Sequence, residues 1–184
     1  MHPDDVDEIR ERIDFGTSRT KAADFEALGR ECAEGEYGRA TFFTMAADHR
    51  LMRGELDQAR AALDAAGEGH HDELLLHPLA IRLSVELAAG DEMEQQRILA
   101  ELLVRWRHDE LTASSCHFVG EQLHLAGELR KAHRWFTLPL ADLDPEHDEL
   151  EADEELCVTS RAIVRRELGL PVDRYDALAA DLGG

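Results

Sequence analysis

Five glycines punctuate this chain at nearly regular intervals, and each follows one helical pattern and precedes another. They are Gly16, Gly54, Gly90, Gly127 and Gly169, separated by 38, 36, 37 and 42 residues. Glycine readily takes the left-handed conformation that often ends a helix, because it has no Cβ atom to clash with the backbone. The spacing therefore predicts a chain built from repeated pairs of helices.

Apolar residues recur at helical spacing between these glycines, as Leu56, Ala59, Leu63 and Ala66 do. No stretch shows the alternation that is typical of a strand, and the abundance of Ala and Leu favours helices. We therefore predict an all-α fold. The predicted helices are about 3–15, 19–33, 37–53, 55–67, 72–89, 91–107, 109–126, 128–142, 147–168 and 171–182.

Small and bulky residues also recur at fixed distances from the glycines. Nine residues after each glycine lie Phe25, Leu63, Leu99, Phe136 and Leu178. Seven residues before each lie Ile9, Ala47, Leu83, Gly120 and Ala162. This alternation predicts that the two helices of each pair pack closely.

Two stretches resemble tetratricopeptide repeats. Residues 114–145 match that family's pattern through Gly120, Gly127, Ala132, Phe136 and Pro145. Residues 41–66 match it through Ala47, Gly54, Ala59, Leu63 and Ala66. Residues 79–103 match it weakly, because Gln95 replaces the usual small residue. Pro139 also departs from the pattern, since it should kink its helix or end it early. The resemblance implies one domain over residues 1–184, a right-handed α-solenoid of about five antiparallel helical hairpins.

The resemblance also implies a concave groove that binds a peptide or a protein segment. The expected lining residues are Thr44, Asp48, Leu51, Ala80, Ser84, Leu87, His117, Glu121 and His124. One mode in the family grips a C-terminal carboxylate with Lys and Asn, but this chain has no Asn and no Lys at these positions. Asp48 and Glu121 instead predict a basic or hydrogen-bonding ligand. We expect a protein-interaction module or scaffold that is not an enzyme and needs no cofactor.

Charge and composition narrow the class of partner. The formal net charge of -20 disfavours nucleic acid and anionic membrane surfaces, and it favours basic proteins or peptides. The first residues are acidic and form no signal peptide, and no apolar run is long enough for a membrane span. The three cysteines lie far apart, as reduced thiols of a cytoplasmic protein would. These features predict a cytoplasmic location.

Two alternatives come from other classes of protein. His117, Glu121 and His124 are spaced by four and three residues, which puts them on one helix face where they could bind Zn²⁺. A metal-binding protein or a metal-dependent hydrolase is therefore one alternative, although the sequence contains no HExxH, GxSxG, CxxC or phosphate-binding loop. Cys116 and His117 do not form a ready catalytic dyad, because helix neighbours point about 100° apart. Cys116 occupies an apolar position of the repeat, so it is interpreted as a packing residue. A structural homodimer is the other alternative, and an exposed apolar face on a terminal hairpin would favour it.

Local signals predict some helix ends. Ser18 and Asp91 stand where N-caps would be useful, and residues 67–72 read as a turn between repeats. The acidic run at 144–155 suits the positive end of a helix dipole.

Overall fold

Helices make up the regular structure of this protein. The computed structural model describes residues 2–17, 19–67, 76–144 and 149–182. In those ranges it contains no strand and ten α-helices: α1 (Pro3–Asp14), α2 (Lys21–Glu31), α3 (Tyr37–Leu51), α4 (Leu56–Ala66), α5 (Pro78–Ala89), α6 (Glu92–Arg107), α7 (Ala113–Leu125), α8 (Leu129–Thr137), α9 (Ala152–Glu167) and α10 (Arg174–Leu182). The all-α prediction is confirmed.

Backbone contacts divide the chain into two compact units, Met1–Leu111 and Thr112–Gly184. In the first unit α3 packs against α1, α2, α4 and α5, and α5 also packs against α4 and α6. In the second unit α9 packs against α7, α8 and α10, while α7 and α8 pack together. The single repeat domain, the antiparallel hairpins and the right-handed superhelix stay predictions.

The predicted glycine ends are confirmed for four helices. Gly54, Gly90, Gly127 and Gly169 have φ angles of 71°, 74°, 77° and 66°. After each of them, the next backbone N–H donates to the carbonyl four residues before the glycine; Glu128 N, for example, lies 2.9 Å from Leu123 O. This bond closes the last turn of the helix and satisfies a carbonyl that would otherwise lack a donor.

Gly16 does not share that conformation, so this part of the glycine prediction is wrong. Helix α1 ends at Asp14, and Gly16 N donates to Ile13 O at 3.1 Å without a positive φ angle. Asp109 takes the glycine role at the end of α6, with a φ angle of 57° and a bond of 3.0 Å from Glu110 N to Arg105 O.

The predicted close packing is confirmed between α7 and α8. A Cβ atom added to Gly120 would lie 2.5 Å from the Phe136 ring, so only glycine fits there. Ala132 and Phe136 are fully buried. Pro139 acts as predicted, because α8 ends at Thr137 and continues as the 3₁₀ turn Leu138–Leu140.

Three helices, α5, α7 and α9, begin at least four residues later than predicted. Helix α5 begins at Pro78, where the His77 side chain accepts a hydrogen bond from Leu79 N at 3.1 Å. Helix α7 begins at Ala113 because Thr112 caps it, and α9 begins at Ala152 with a capping box between Glu151 and Glu154. Asp91 caps α6 as predicted, accepting from Glu94 N at 3.1 Å.

Some predicted features lie outside the described residues. They are the Ser18 cap, the turn at 67–72 beyond Gly67, and Pro145. Among the helices that are described, none is long and apolar enough to cross a membrane.

Candidate binding site

Three predicted groove residues are enclosed in the first unit. Thr44 is 3% exposed, Ala80 is 0% exposed and Ser84 is 4% exposed. Helix α3 packs against α5 as well as against α2 and α4, so these small side chains are buried in helix contacts. The expectation that they line an open groove is therefore wrong. Leu51 and Leu87 are half-buried, as is Asp48, and these three remain within reach of a ligand.

Asp48 is the polar group of this set with the most unusual environment. Partial burial raises the pKa of its carboxyl, the nearby Asp14 raises it further, and His49 opposes the rise. No hydrogen bond or ion pair reaches this carboxylate from any residue that the structure describes. A charged group that has lost water without gaining a partner is costly, which marks it as a candidate for ligand binding.

The basic residues that follow Asp48 are held by other carboxylates. His49 Nε2 lies 3.1 Å from Asp14 Oδ1, and its ring stacks on Phe25 with centroids 5.7 Å apart. Arg50 lies 3.0 Å from Glu26 and 2.7 Å from Glu55. Neighbouring helix residues point in different directions, so adjacency in sequence gives Asp48 no partner.

A second unsatisfied polar atom lies one turn before Asp48. The Thr44 hydroxyl oxygen is buried and has no hydrogen-bond partner among the described atoms. Residues four apart on a helix share one side, so Thr44 and Asp48 belong to the same stripe of α3. Leaving a buried hydroxyl unsatisfied costs about 1–3 kcal/mol, so this stripe carries two unfavourable polar groups.

The two predicted histidines of the second unit have partners on α9. His117 Nε2 lies 3.0 Å from Ser160 Oγ, and its ring contacts Phe136 with centroids 5.5 Å apart. His124 Nε2 lies 2.9 Å from Glu167 Oε2. Burial lowers the pKa of His117, with Glu121 and Asp153 opposing that shift.

These contacts do not assemble the hypothetical metal site. His117 Nδ1 is 3.8 Å from Glu121, while His124 turns to a different carboxylate. Within the described ranges, no group of three His, Cys, Asp or Glu side chains could hold a metal ion. The pairing with α9 also uses ring nitrogens that a metal would need.

Cys116 lies in the core, in keeping with its interpretation as a packing residue. Its thiol is fully buried, and burial raises its pKa well above the ordinary value. Burial likewise raises the pKa of Cys157 to about 12. Both thiols are therefore protonated at neutral pH and are poor nucleophiles.

Sequence reasoning missed a buried charge network between α9 and α10. Arg161 donates to both Asp173 carboxylate oxygens, at 3.1 Å and 2.7 Å, and Arg165 donates to Asp176 at 3.0 Å. Both arginines are less than a tenth exposed. The available signal was the pair of aspartates three residues apart at the start of α10, where Asp173 accepts from Tyr175 N at 3.0 Å.

Comparison with known proteins identifies no relative of this chain. No family model matches the chain, and no curated protein or solved structure is significantly similar to it. The resemblance to tetratricopeptide repeats therefore rests on the residues alone.

Proposed function

We propose that this chain is a protein-interaction module that binds a basic side chain, Arg or Lys, of a partner protein at Asp48. The observation that carries the proposal is the half-buried Asp48 carboxylate, which no described residue pairs. The proposal includes no catalytic step and no cofactor.

The energetics of Asp48 favour a cationic ligand. Part of the desolvation cost of the carboxylate is already present in the free protein, so a guanidinium or ammonium group would gain a charge-assisted hydrogen bond. Leu51 lies on the same side of α3 and is half-buried, so it offers apolar contact beside the charge. The net charge of -20 would also speed the approach of a basic partner.

An immobilised array of peptides provides a direct test. Each peptide would place one of the twenty amino acids at the centre of a constant Ala- and Ser-based frame. We expect the intact protein to bind the Arg and Lys members, and Asp48→Asn to lose that preference. Because folding raises the Asp48 pKa, the ionised group destabilises the fold at neutral pH, so Asn should not unfold the protein.

Asp181→Asn is the matched control, because it removes one exposed carboxylate of α10 by the same substitution. This variant should bind the array as the unaltered protein does. The proposal would be contradicted if Asp48→Asn preferred the Arg and Lys peptides as strongly as the unaltered protein does. It would also be contradicted if the unaltered protein showed no preference for them.

A second candidate function is self-association through the terminal hairpin. Helices α9 and α10 form a cavity of about 450 Å³, and three apolar residues on its wall are exposed: Ile163 by 43%, Leu170 by 40% and Val172 by 82%. Arg166 and Asp176 also line it. Exposed apolar side chains of this kind often mark interaction sites, and two copies related by a twofold axis would bury them against each other.

Light scattering across a concentration series tests this candidate. A homodimer predicts twice the 20.6 kDa chain mass, with Ile163→Glu reducing the mass to that of one chain. Leu125→Glu, at an exposed position of α7, should leave the dimer intact. If the unaltered protein had the mass of one chain at every concentration, the homodimer would be excluded.

A further inference from the structure

A second cavity lies in the first unit, among α2, α3 and α4. Its volume is about 390 Å³, within the range of small-molecule sites of about 300–1,000 Å³. Its polar wall contains Arg30, Arg39, Arg50 and Glu26, and its apolar wall is formed by Phe43 and alanines of α4. Three guanidinium groups around one carboxylate form an unusual local environment in a chain of 40 acidic and 20 basic residues.

Two of the three arginines already have carboxylate partners. Glu26 lies 3.0 Å from Arg30 and 3.0 Å from Arg50. Arg50 also lies 2.7 Å from Glu55. Both positive charges are therefore compensated by groups of the chain itself.

Arg39 differs from the other two arginines. Its Nη1 donates to the carbonyls of Gly29 and Cys32 at 3.3 Å and 3.4 Å, and its guanidinium carbon lies 5.0 Å from the Phe43 ring centroid. No carboxylate among the described residues forms an ion pair with it, and its Nε is buried without an acceptor. The guanidinium is thus held in place by neutral groups while its charge stays uncompensated.

We propose that this cavity binds a carboxylate attached to an apolar group. Arg39 would donate to the carboxylate from Nη2, because Nη1 already donates to two carbonyls and Nε is buried. The apolar part would contact Phe43 and the α4 alanines Ala61, Ala62 and Ala65, which line the cavity. A free carboxylic acid and the C-terminal residue of a peptide both have this chemistry.

The anion cavity is separate from the proposed Asp48 surface. Arg39, Phe43 and Arg50 are spaced by four and seven residues, so they share one side of α3. Thr44 and Asp48 belong to a different side, since successive helix residues are rotated by about 100°. Either site can therefore fail its test without affecting the other.

Calorimetric titration with 3-phenylpropanoate tests the proposal, and 3-phenylpropanamide serves as the uncharged analogue. We expect saturable binding of the acid and none of the amide. Arg39→Gln should weaken binding of the acid by about tenfold or more, because it removes a charged hydrogen-bond donor. Arg107→Gln is the matched control, with the same substitution at an exposed position of α6, and it should bind like the unaltered protein.

A second pair of probes distinguishes the two sources of the carboxylate. N-acetyl-Ala-Phe with a free carboxylate is compared with its C-terminal amide, both against the unaltered protein. If the free-carboxylate peptide binds more tightly than 3-phenylpropanoate, the natural ligand is a peptide terminus. If it binds more weakly, the natural ligand is a small acid. The proposal would be overturned if an acid and its amide bound equally well, or if neither acid bound. It would also be overturned if Arg39→Gln bound the acid as tightly as the unaltered protein does. The amide comparison needs no variant, so it holds even if Arg39→Gln alters the fold.

Discussion

At the scale of single residues, Asp109 takes a backbone conformation that suits glycine. Its φ angle is 57°, and side chains with a Cβ atom are disfavoured there. We expect Asp109→Gly to raise the free energy of unfolding by about 0.5–1 kcal/mol, and Asp109→Ala to lower it. Urea denaturation of the three proteins measures the difference. A glycine variant no more stable than the alanine variant would show that the strain is absent.

Gly54, Gly90, Gly127 and Gly169 were predictable because glycine is the residue type that most readily allows this conformation. Asp109 was not, because aspartate is common in caps, turns and helix first turns, so its type does not specify the conformation. Gly16 shows the converse. It follows a helix without taking the left-handed conformation, since a permissive residue is not obliged to use its freedom.

At the scale of helices, an ion pair with a buried carboxylate joins α4 to α5. Glu86 is 3% exposed, and Arg60 donates to its two oxygens at 2.9 Å and 2.6 Å. Arg60→Met should lower the free energy of unfolding by about 3 kcal/mol, because the carboxylate would remain buried and unpaired. The double variant Arg60→Met with Glu86→Leu should regain most of that loss.

An exposed pair provides the control for this comparison. Arg97 joins Glu94 and Glu101 on the surface of α6, and Arg97→Met should cost less than about 1 kcal/mol. Chemical denaturation of all four proteins measures these effects. If Arg60→Met and Arg97→Met lowered the free energy of unfolding by similar amounts, burial of Glu86 would not increase the cost of losing its partner.

The charge network of α9 and α10 makes the free energy of unfolding depend on pH. Hydrogen bonds from Arg161 lower the pKa of Asp173 to about 2, below the ordinary 3.8. A folded-state pKa that is lowered stabilises the fold above the unfolded pKa, and this contribution disappears as the pH falls from about 4 to about 2. Since Asp173 is partly exposed, we expect a contribution of about 1–2 kcal/mol.

The variant Asp173→Asn separates this contribution from general acid unfolding. At pH 7 it should be less stable than the unaltered protein by that amount, and the difference should vanish near pH 2. Asp181→Asn again serves as the control. Urea titrations at several pH values provide the measurement, and a difference independent of pH would contradict the assignment.

Helix periodicity explains which features of these elements could be predicted. It identifies the apolar face, and so it located the α7–α8 contact through Gly120 and Phe136. It cannot tell which polar residues meet across two helices, because that depends on how the helices pack. Periodicity therefore gave no indication that Arg161, Arg165 and Glu86 are buried. Thr44 and Ser84 were expected to line an open groove, but they are buried too.

At the scale of the whole molecule, excess negative charge opposes folding. A net charge of -20 brings like charges together when the chain becomes compact. Added salt screens this repulsion, with a Debye length falling from about 30 Å at 0.01 M to about 3 Å at 1 M. We expect the thermal midpoint to rise between 0.01 M and 0.5 M sodium chloride. A falling midpoint would mean that attractive ion pairs outweigh the repulsion.

The helical class of the fold could be predicted from the whole sequence, because apolar spacing and glycine ends act locally. The arrangement of the helices depends on contacts between distant segments, which periodicity does not specify. The division at Leu111 had no clear signal, since the Asp109 turn and the Thr112 cap resemble other connections in the chain. The same limit applies to Asp48, whose residue type suggested a basic ligand but not that its neighbours would leave it unpaired.

The most direct test of the Asp48 assignment is its pKa, measured by carboxyl carbon NMR in the free protein and with the best arginine peptide from the array. We expect a pKa above the ordinary 3.8 in the free protein, because burial disfavours the charged form. Binding of the peptide should lower it, because a nearby cation favours the carboxylate. An ordinary pKa that does not change on binding would contradict the account.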